Sequence, residues 1–89
     1  MRTEDRWSVE VYLDEHDGET HAEARLVAGD AERVRGRGRA RCNPADWDVP
    51  RIGAELATSR ALSDLAHRLL DLAAADIEGV THEHVTLIR

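Results

Sequence analysis

From Arg33 to Arg41 every odd position is arginine, and the even positions are Val34, Gly36, Gly38 and Ala40. Such strict alternation predicts a β-strand, because successive side chains of a strand point to opposite faces. One face is cationic and the other carries almost no side chains. Glycine weakens a strand unless its missing side chain makes room for something. Two inward glycines therefore predict close approach of a bulky element, a helix. The rival is a disordered Arg-Gly segment that holds RNA loosely. Valine and alanine keep the alternation, and turn residues bracket the run, which favours the strand.

The upstream sequence supplies its neighbours. After a polar stretch, residues 1–5, Trp7, Val9, Val11 and Leu13 alternate with Ser8, Glu10, Tyr12 and Asp14. Glu15-His16-Asp17-Gly18 reads as a turn, since Gly18 accepts positive φ. Thr20, Ala22, Ala24 and Leu26 then alternate with His21, Glu23 and Arg25, and Gly29-Asp30 marks the next turn. Residues 6–42 are thus expected to form a three-stranded antiparallel sheet, with residues 43–50 a loop. Asp48 is the candidate helix N-cap and Pro50 lies in the first turn.

From residue 51 to about 78 the spacing is helical, with Gly79 as the stop. On a helical wheel Ile52, Leu56, Leu70 and Ile77 share one side. Leu62, Leu65, Leu69 and Leu72 continue round from it at heptad spacing, so the apolar arc spans roughly 200°. Arg60, Asp64, His67, Arg68, Asp71 and Glu78 form the polar side. The arc is about twice what one sheet requires. The stripe Leu62, Leu65, Leu69, Leu72 is therefore the expected dimer contact, and the partner is an identical subunit. The competing reading has loop 43–50 and the C-terminal tail covering the excess. Residues 79–89 are expected to be a tail or a short edge strand.

The 89 residues form one domain, 42% hydrophobic, with a formal charge of −6. The Arg33–Arg41 segment carries +5, so the remainder carries −11. Such acidity argues against general adhesion to nucleic acid or anionic lipid. A local arginine row is different. Arg33, Arg35, Arg37, Arg39 and Arg41, about 6.7 Å apart, would form a line roughly 27 Å long. Guanidiniums in a row can track a phosphate backbone, with affinity but little sequence preference. The alternative is pairing with carboxylates of the same sheet face, for which Glu10 and Glu23 are placed.

Nothing else spells out a reaction. Cys42 is the single cysteine, so an intrachain disulfide is excluded. It lacks an identifiable activating base. His82 and His84 would share one side of an extended tail, but a metal site needs a third ligand and no spacing supplies one. His67 and Asp71 form an ordinary i,i+4 pair. Gly36-Arg37-Gly38 lacks the helix start and Lys-Ser/Thr pair of a phosphate loop. Trp7 and Trp47 read as packing anchors. No apolar run spans a bilayer and no signal segment is present, so the expectation is a cytoplasmic, non-enzymatic protein with no metal and no cofactor.

Several stretches occur in a familiar order: Trp7-Ser8-Val9-Glu10-Val11, Asn43-Pro44-Ala45-Asp46, Val49-Pro50-Arg51-Ile52-Gly53-Ala54-Glu55-Leu56 and Asp76-Ile77-Glu78-Gly79-Val80-Thr81-His82. Together they resemble the dsRBFC family, small actinobacterial proteins of unknown function. The resemblance implies a small α+β fold related to double-stranded-RNA-binding domains and ribosome hibernation factors. It also implies dimers and an association with hypoxia, dormancy and stress, and brings no catalytic residues. The family often has apolar residues where Arg35, Arg37 and Arg39 stand, so the full ladder departs from its pattern. The resulting expectation is a β-β-β-α homodimer that acts as a stress or dormancy factor and contacts ribosomal or other structured RNA. The alternative is a dimeric protein-interaction module without nucleic-acid binding.

Overall fold

A computed structural model of the chain describes residues 4–41, 49–82 and 84–88. Three strands, β1 (Trp7–His16), β2 (Glu19–Ala28) and β3 (Ala31–Arg41), form an antiparallel sheet in the order β1-β2-β3. One helix, α1 (Pro50–Thr81), follows. The expected β-β-β-α order therefore holds. The expectations for Cys42, Trp47, Asp48 and most of the connecting loop fall outside the described residues.

Both hairpins are closed by two residues. Asp17 and Gly18 have φ of 50° and 73°, and Gly29 has φ of 65°. Positive φ matches the right-handed twist of paired strands, and glycine takes it without a Cβ penalty. The first hairpin runs in perfect register from Trp7↔Ala28 to His16↔Glu19. The second slips once: Leu26 pairs with Val34 but Val27 with Glu32. Arg33 is the extra residue of this bulge, and a bulge breaks the alternation of side chains. The sequence expected five arginines on one face; only Arg35, Arg37, Arg39 and Arg41 keep that phase.

The inward face carries Trp7, Val9, Val11 and Leu13 from β1, Ala22, Ala24 and Leu26 from β2, and Val34, Gly36, Gly38 and Ala40 from β3. Helix α1 packs over β2 and β3 and barely reaches β1. Its seat is the pair of glycines. A Cβ on Gly36 would stand 2.2 Å from the Leu65 amide nitrogen and 2.4 Å from the Ala61 carbonyl oxygen. On Gly38 it would stand 2.3 Å from the Ala61 amide nitrogen. Real Cβ contacts do not come so close, so backbone lies on backbone here.

That approach decides the core. The buried apolar residues are Ala22, Ala24, Leu26, Ala40, Ala57, Ala61 and Leu65, five alanines against two leucines. The helix therefore meets the sheet through its smallest side chains. Leu65, expected in a free dimer stripe, is only 5% exposed and sits over Gly36. Of its companions, Leu69 packs half-buried against the core, Leu72 is half-buried, and Leu62 stays exposed. The side bearing Ile52, Leu56 and Ile77 points away from the sheet, half a turn from Ala61, and all three remain exposed.

The helix is also longer than expected. Val49, in an extended conformation and making no side-chain cap, occupies the N-cap, and Pro50 opens the first turn. The chain runs through Gly79 and stops at His82, whose φ of 63° is left-handed and whose N–H donates to the Glu78 carbonyl at 2.7 Å. Residues 84–88 form no strand. The 32-residue helix is about 48 Å long and overhangs the sheet. The radius of gyration is 16.7 Å, against about 12 Å for a compact chain of this length.

Gly36→Ala should lower stability by about 3 kcal/mol or more, because the new methyl meets helix backbone that cannot step aside. Gly79→Ala meets open space and should gain about 0.5–1 kcal/mol from helix propensity. Urea unfolding of the two variants against wild type measures both; a neutral Gly36→Ala would refute the glycine seat.

Candidate functional site

The two faces of the sheet are chemically opposite, and each is a candidate surface. On the outer face register sets the residues in rows across the strands. Glu10 lies beside Arg25 and Arg35, Tyr12 beside Glu23 and Arg37, Asp14 beside His21 and Arg39, and His16 beside Glu19 and Arg41. Glu32 joins from the bulge end. Five arginines (25, 35, 37, 39, 41) thus meet five carboxylates (10, 14, 19, 23, 32), and the face is formally neutral with histidines uncharged.

Pairing is uneven along it. Glu23 Oε1 accepts from Arg25 Nε and Arg35 Nη1, both at 2.8 Å, and Arg35 also donates to Glu32. Arg25 further lies 4.0 Å from the centre of the Tyr12 ring, a cation–π contact. The Arg25 hydrogen bond, reinforced by the charges of Arg35 and Arg37, holds the Glu23 carboxyl below its usual value. Its partners, Glu32 first, hold Arg35 above the ordinary guanidinium value. Arg37 and Arg39 are looser: each has a carboxylate only at 3.7 Å, and their side chains are 74% and 76% exposed. They line a shallow cavity of about 590 Å³ with Tyr12, Asp14, His21 and Glu23. Arg41 is exposed. Arg33 instead lines a cavity on the helix side with Trp7, Leu26, Leu69 and Leu72. A cationic corner of three arginines remains from the expected ladder of five.

The edges differ as well. The outward edge of β3 is closed by α1. The Arg37 N–H donates to Asp64 Oδ2 at 2.8 Å, and Arg60 Nη1 donates to the Arg39 carbonyl at 2.7 Å. Asp64 also accepts from Arg68 Nε at 3.0 Å. The backbone N–H of Arg37 first, then Arg68, lowers the Asp64 carboxyl below its usual value. Sequence reasoning placed Arg60 and Asp64 on a polar solvent face and missed this use. Their i,i+4 spacing beside the alanine stripe was the available signal. No helical side chain closes the edge of β1 in this way among the described residues.

The inner face of β1 is the second candidate. Trp7 is 55% exposed, Val9 44%, Val11 37% and Leu13 51%. Trp7 Nε1 donates to Asp5 Oδ2 at 3.2 Å, so its polar atom is satisfied while its rings stay open. Apolar side chains collected on one face are what a docking surface presents.

No group of three or more His, Cys, Asp or Glu residues is placed to hold a metal ion among the described residues. His82 is used as the helix C-cap, and His84 Nδ1 lies 3.1 Å from Glu78 Oε1. No described helix is long and apolar enough to cross a membrane.

The comparisons with known proteins agree with this fold. The family description Rv2632c-like matches residues 5–86. This chain belongs to the Rv2632c-like family. An uncharacterized protein of Mycobacterium bovis, Mb1767, is 51% identical over 82 residues, covering 92% of this chain and 86% of its own. Uncharacterized protein Rv2632c of Mycobacterium tuberculosis is 50% identical over 78 residues, covering 88% and 83%. A crystal structure of Rv2632c superposes with a TM-score of 0.79 at 44% identity, covering 92% of this chain and 96% of that one. The kinship carries the α+β architecture, and these relatives bring no activity with them. The dsRBFC designation and the dormancy association rest on the resemblance alone.

Because the folded Asp64 carboxyl is held below its unfolded value of about 3.9, its contribution is complete above that pH and is lost as pH falls through the lower folded value. Asp64→Ala should therefore be less stable than wild type by about 1 kcal/mol at pH 7, and the gap should narrow as pH falls through the lowered folded value. Urea midpoints at pH 7 and through the acid range test this; a gap that persists unchanged in acid would contradict it.

Proposed function

We propose that this protein is a non-enzymatic, homodimeric interaction module of the cytoplasm. The observation that carries the reading is the apolar surface its own helix leaves open. β1 contributes Trp7, Val9, Val11 and Leu13, and the helix contributes Ile52, Leu56, Leu62 and Ile77. From their fractional exposures these eight residues leave about 700 Å² open per copy, so pairing two copies would remove up to about 1,400 Å² of them, within the range of stable specific interfaces. The wide helical arc supports the same reading. In it the apolar side joins two copies, while the charged outer sheets face outward as recognition surfaces.

The exposure of Arg37 and Arg39 favours a second reading: a stress- or dormancy-associated factor that contacts ribosomal or structured RNA through the corner Arg37, Arg39, Arg41. Its weakness is the neutrality of the face around that corner. Three arginines span about 13 Å, half the length first expected, and carboxylates flank them.

Sedimentation velocity at micromolar concentration should show a dimer for wild type and a folded monomer for Val11→Asp/Leu62→Asp. A wild-type monomer would remove the dimeric reading. Co-sedimentation with ribosomes at low and moderate salt should show no retention. Salt-sensitive retention that Arg37→Glu/Arg39→Glu abolishes would establish the RNA reading instead.

A further inference from the structure

We infer that a second copy of this chain lays the outward stripe of its helix on the open inner face of β1, and receives the same in return. This rests on the dimeric reading above and specifies its interface. Two apolar surfaces must be covered, and they lie on different parts of the chain. One is the β1 face. The other is the helix side bearing Ile52, Leu56 and Ile77, with Leu70 half-buried between them.

Three symmetric arrangements separate on this point. Pairing β1 edge to edge makes a six-stranded sheet, but leaves the helices about 20 Å apart and the outward stripe bare. Stacking helix on helix covers the stripe and leaves β1 bare. Setting the partner's helix beside α1, over β1, covers both at once. It yields a layer of two helices between two sheets. The space fits: α1 occupies β2 and β3, and a helix about 10 Å wide spans about two strands at 4.8 Å spacing, so β1 and its free edge take one more helix.

The two-fold axis then runs between the helices and parallel to them, because only that axis carries a helix from above β2 and β3 to above β1. Each partner residue keeps its level along the strands. Gly38 lies level with Ala57 and Ala61, and Gly36 with Ala61 and Leu65. Leu13 shares a row with Gly38 and Val9 with Val34, one step beyond Gly36. One row of about 6.7 Å equals about 4.5 helical residues, so Leu13 falls level with about residue 59 of the partner, Val11 with about residue 63, Val9 with about residue 67 and Trp7 with about residue 72. Leu13 then lies within one helical turn of Leu56, Val11 over the small Ser63 and Ala66, Val9 between Ala66 and Leu70, and Trp7 between Leu70 and Ala73, while Ile52 and Ile77 reach toward the two ends of β1. The flank carrying Leu62 and Leu69, on the Trp7 side of α1, faces its own symmetry mate across the axis.

A charge-swap pair tests the arrangement. Leu13→Arg and Leu56→Asp lie at exposed positions, so each variant should fold, by circular dichroism, and sediment as a monomer. Mixing them should restore the dimer, since the introduced guanidinium of one copy then faces the introduced carboxylate of the other. As a second measurement, Leu62→Cys in a Cys42→Ser background should form an intermolecular disulfide on mild oxidation, which requires Cα atoms within about 7 Å. Wild-type dimers with neither rescue nor cross-link would overturn this interface while leaving the dimeric reading intact. A monomeric wild type would overturn both.

Discussion

Everything in this molecule follows from backbone touching backbone at Gly36 and Gly38. Because neither residue has a Cβ, α1 settles onto β3 at a distance that large side chains would forbid. The facing helical positions must then be small, and they are Ala57 and Ala61. Dispersion contact at such a seat is dense, but alanine removes little apolar area from water per residue. Close packing and modest burial are two consequences of one choice.

The same choice fixes what is left over. A helix drawn tightly onto β2 and β3 lies too low and too far across to shelter β1. The larger apolar side chains are displaced from the core to its margins, to β1 on one side and to the far side of the helix on the other. This is a physical reason for two unfilled surfaces in one short chain. It differs from the usual amphipathic design, in which the largest hydrophobes occupy the contact itself. The asymmetry extends to the edges. Asp64 and Arg60 use the close approach to reach the backbone of Arg37 and Arg39, so β3 is protected against edge pairing where β1 is not.

Much of this was legible in the sequence. Alternation located all three strands, turn residues located both hairpins, and the inward glycines announced the helix above them. What misled was the wheel. Weighting it by large residues put Ile52 and Leu56 within the apolar arc and left the partner the leucine stripe, whereas the glycine seat selects alanines half a turn away from Ile52. Leu65 was accordingly assigned to a partner though it belongs to the core. The bulge at Arg33 left only a faint mark, two charged residues in succession at Glu32-Arg33, and the unbroken alternation from Arg33 onward hid it; pairing with Val27 and Leu26 shows that one residue is in excess. The neutrality of the outer face was half visible. Alternation put Glu10, Asp14 and Glu23 there, but Glu19 and Glu32 entered the count only through register.

The arginine row and the glycine row are one alternation seen from two sides, and this couples the faces. Arg37 and Arg39 flank Gly38, and their backbone groups are gripped by Asp64 and Arg60 from the helix. Their guanidiniums stand largely exposed on the opposite side, each with a carboxylate at 3.7 Å, while the peptide units carrying them are held by the helix seat. A ligand meeting that corner would find a main chain already held by the helix, so little backbone entropy remains to be lost on binding. With five charges of each sign on the face, attraction there depends on the pattern of charge, because net charge supplies none. Selectivity at such a surface is set by matching anions to Arg37 and Arg39 while avoiding Asp14 and Glu23, a requirement that a patterned protein surface meets more readily than a uniform phosphate chain.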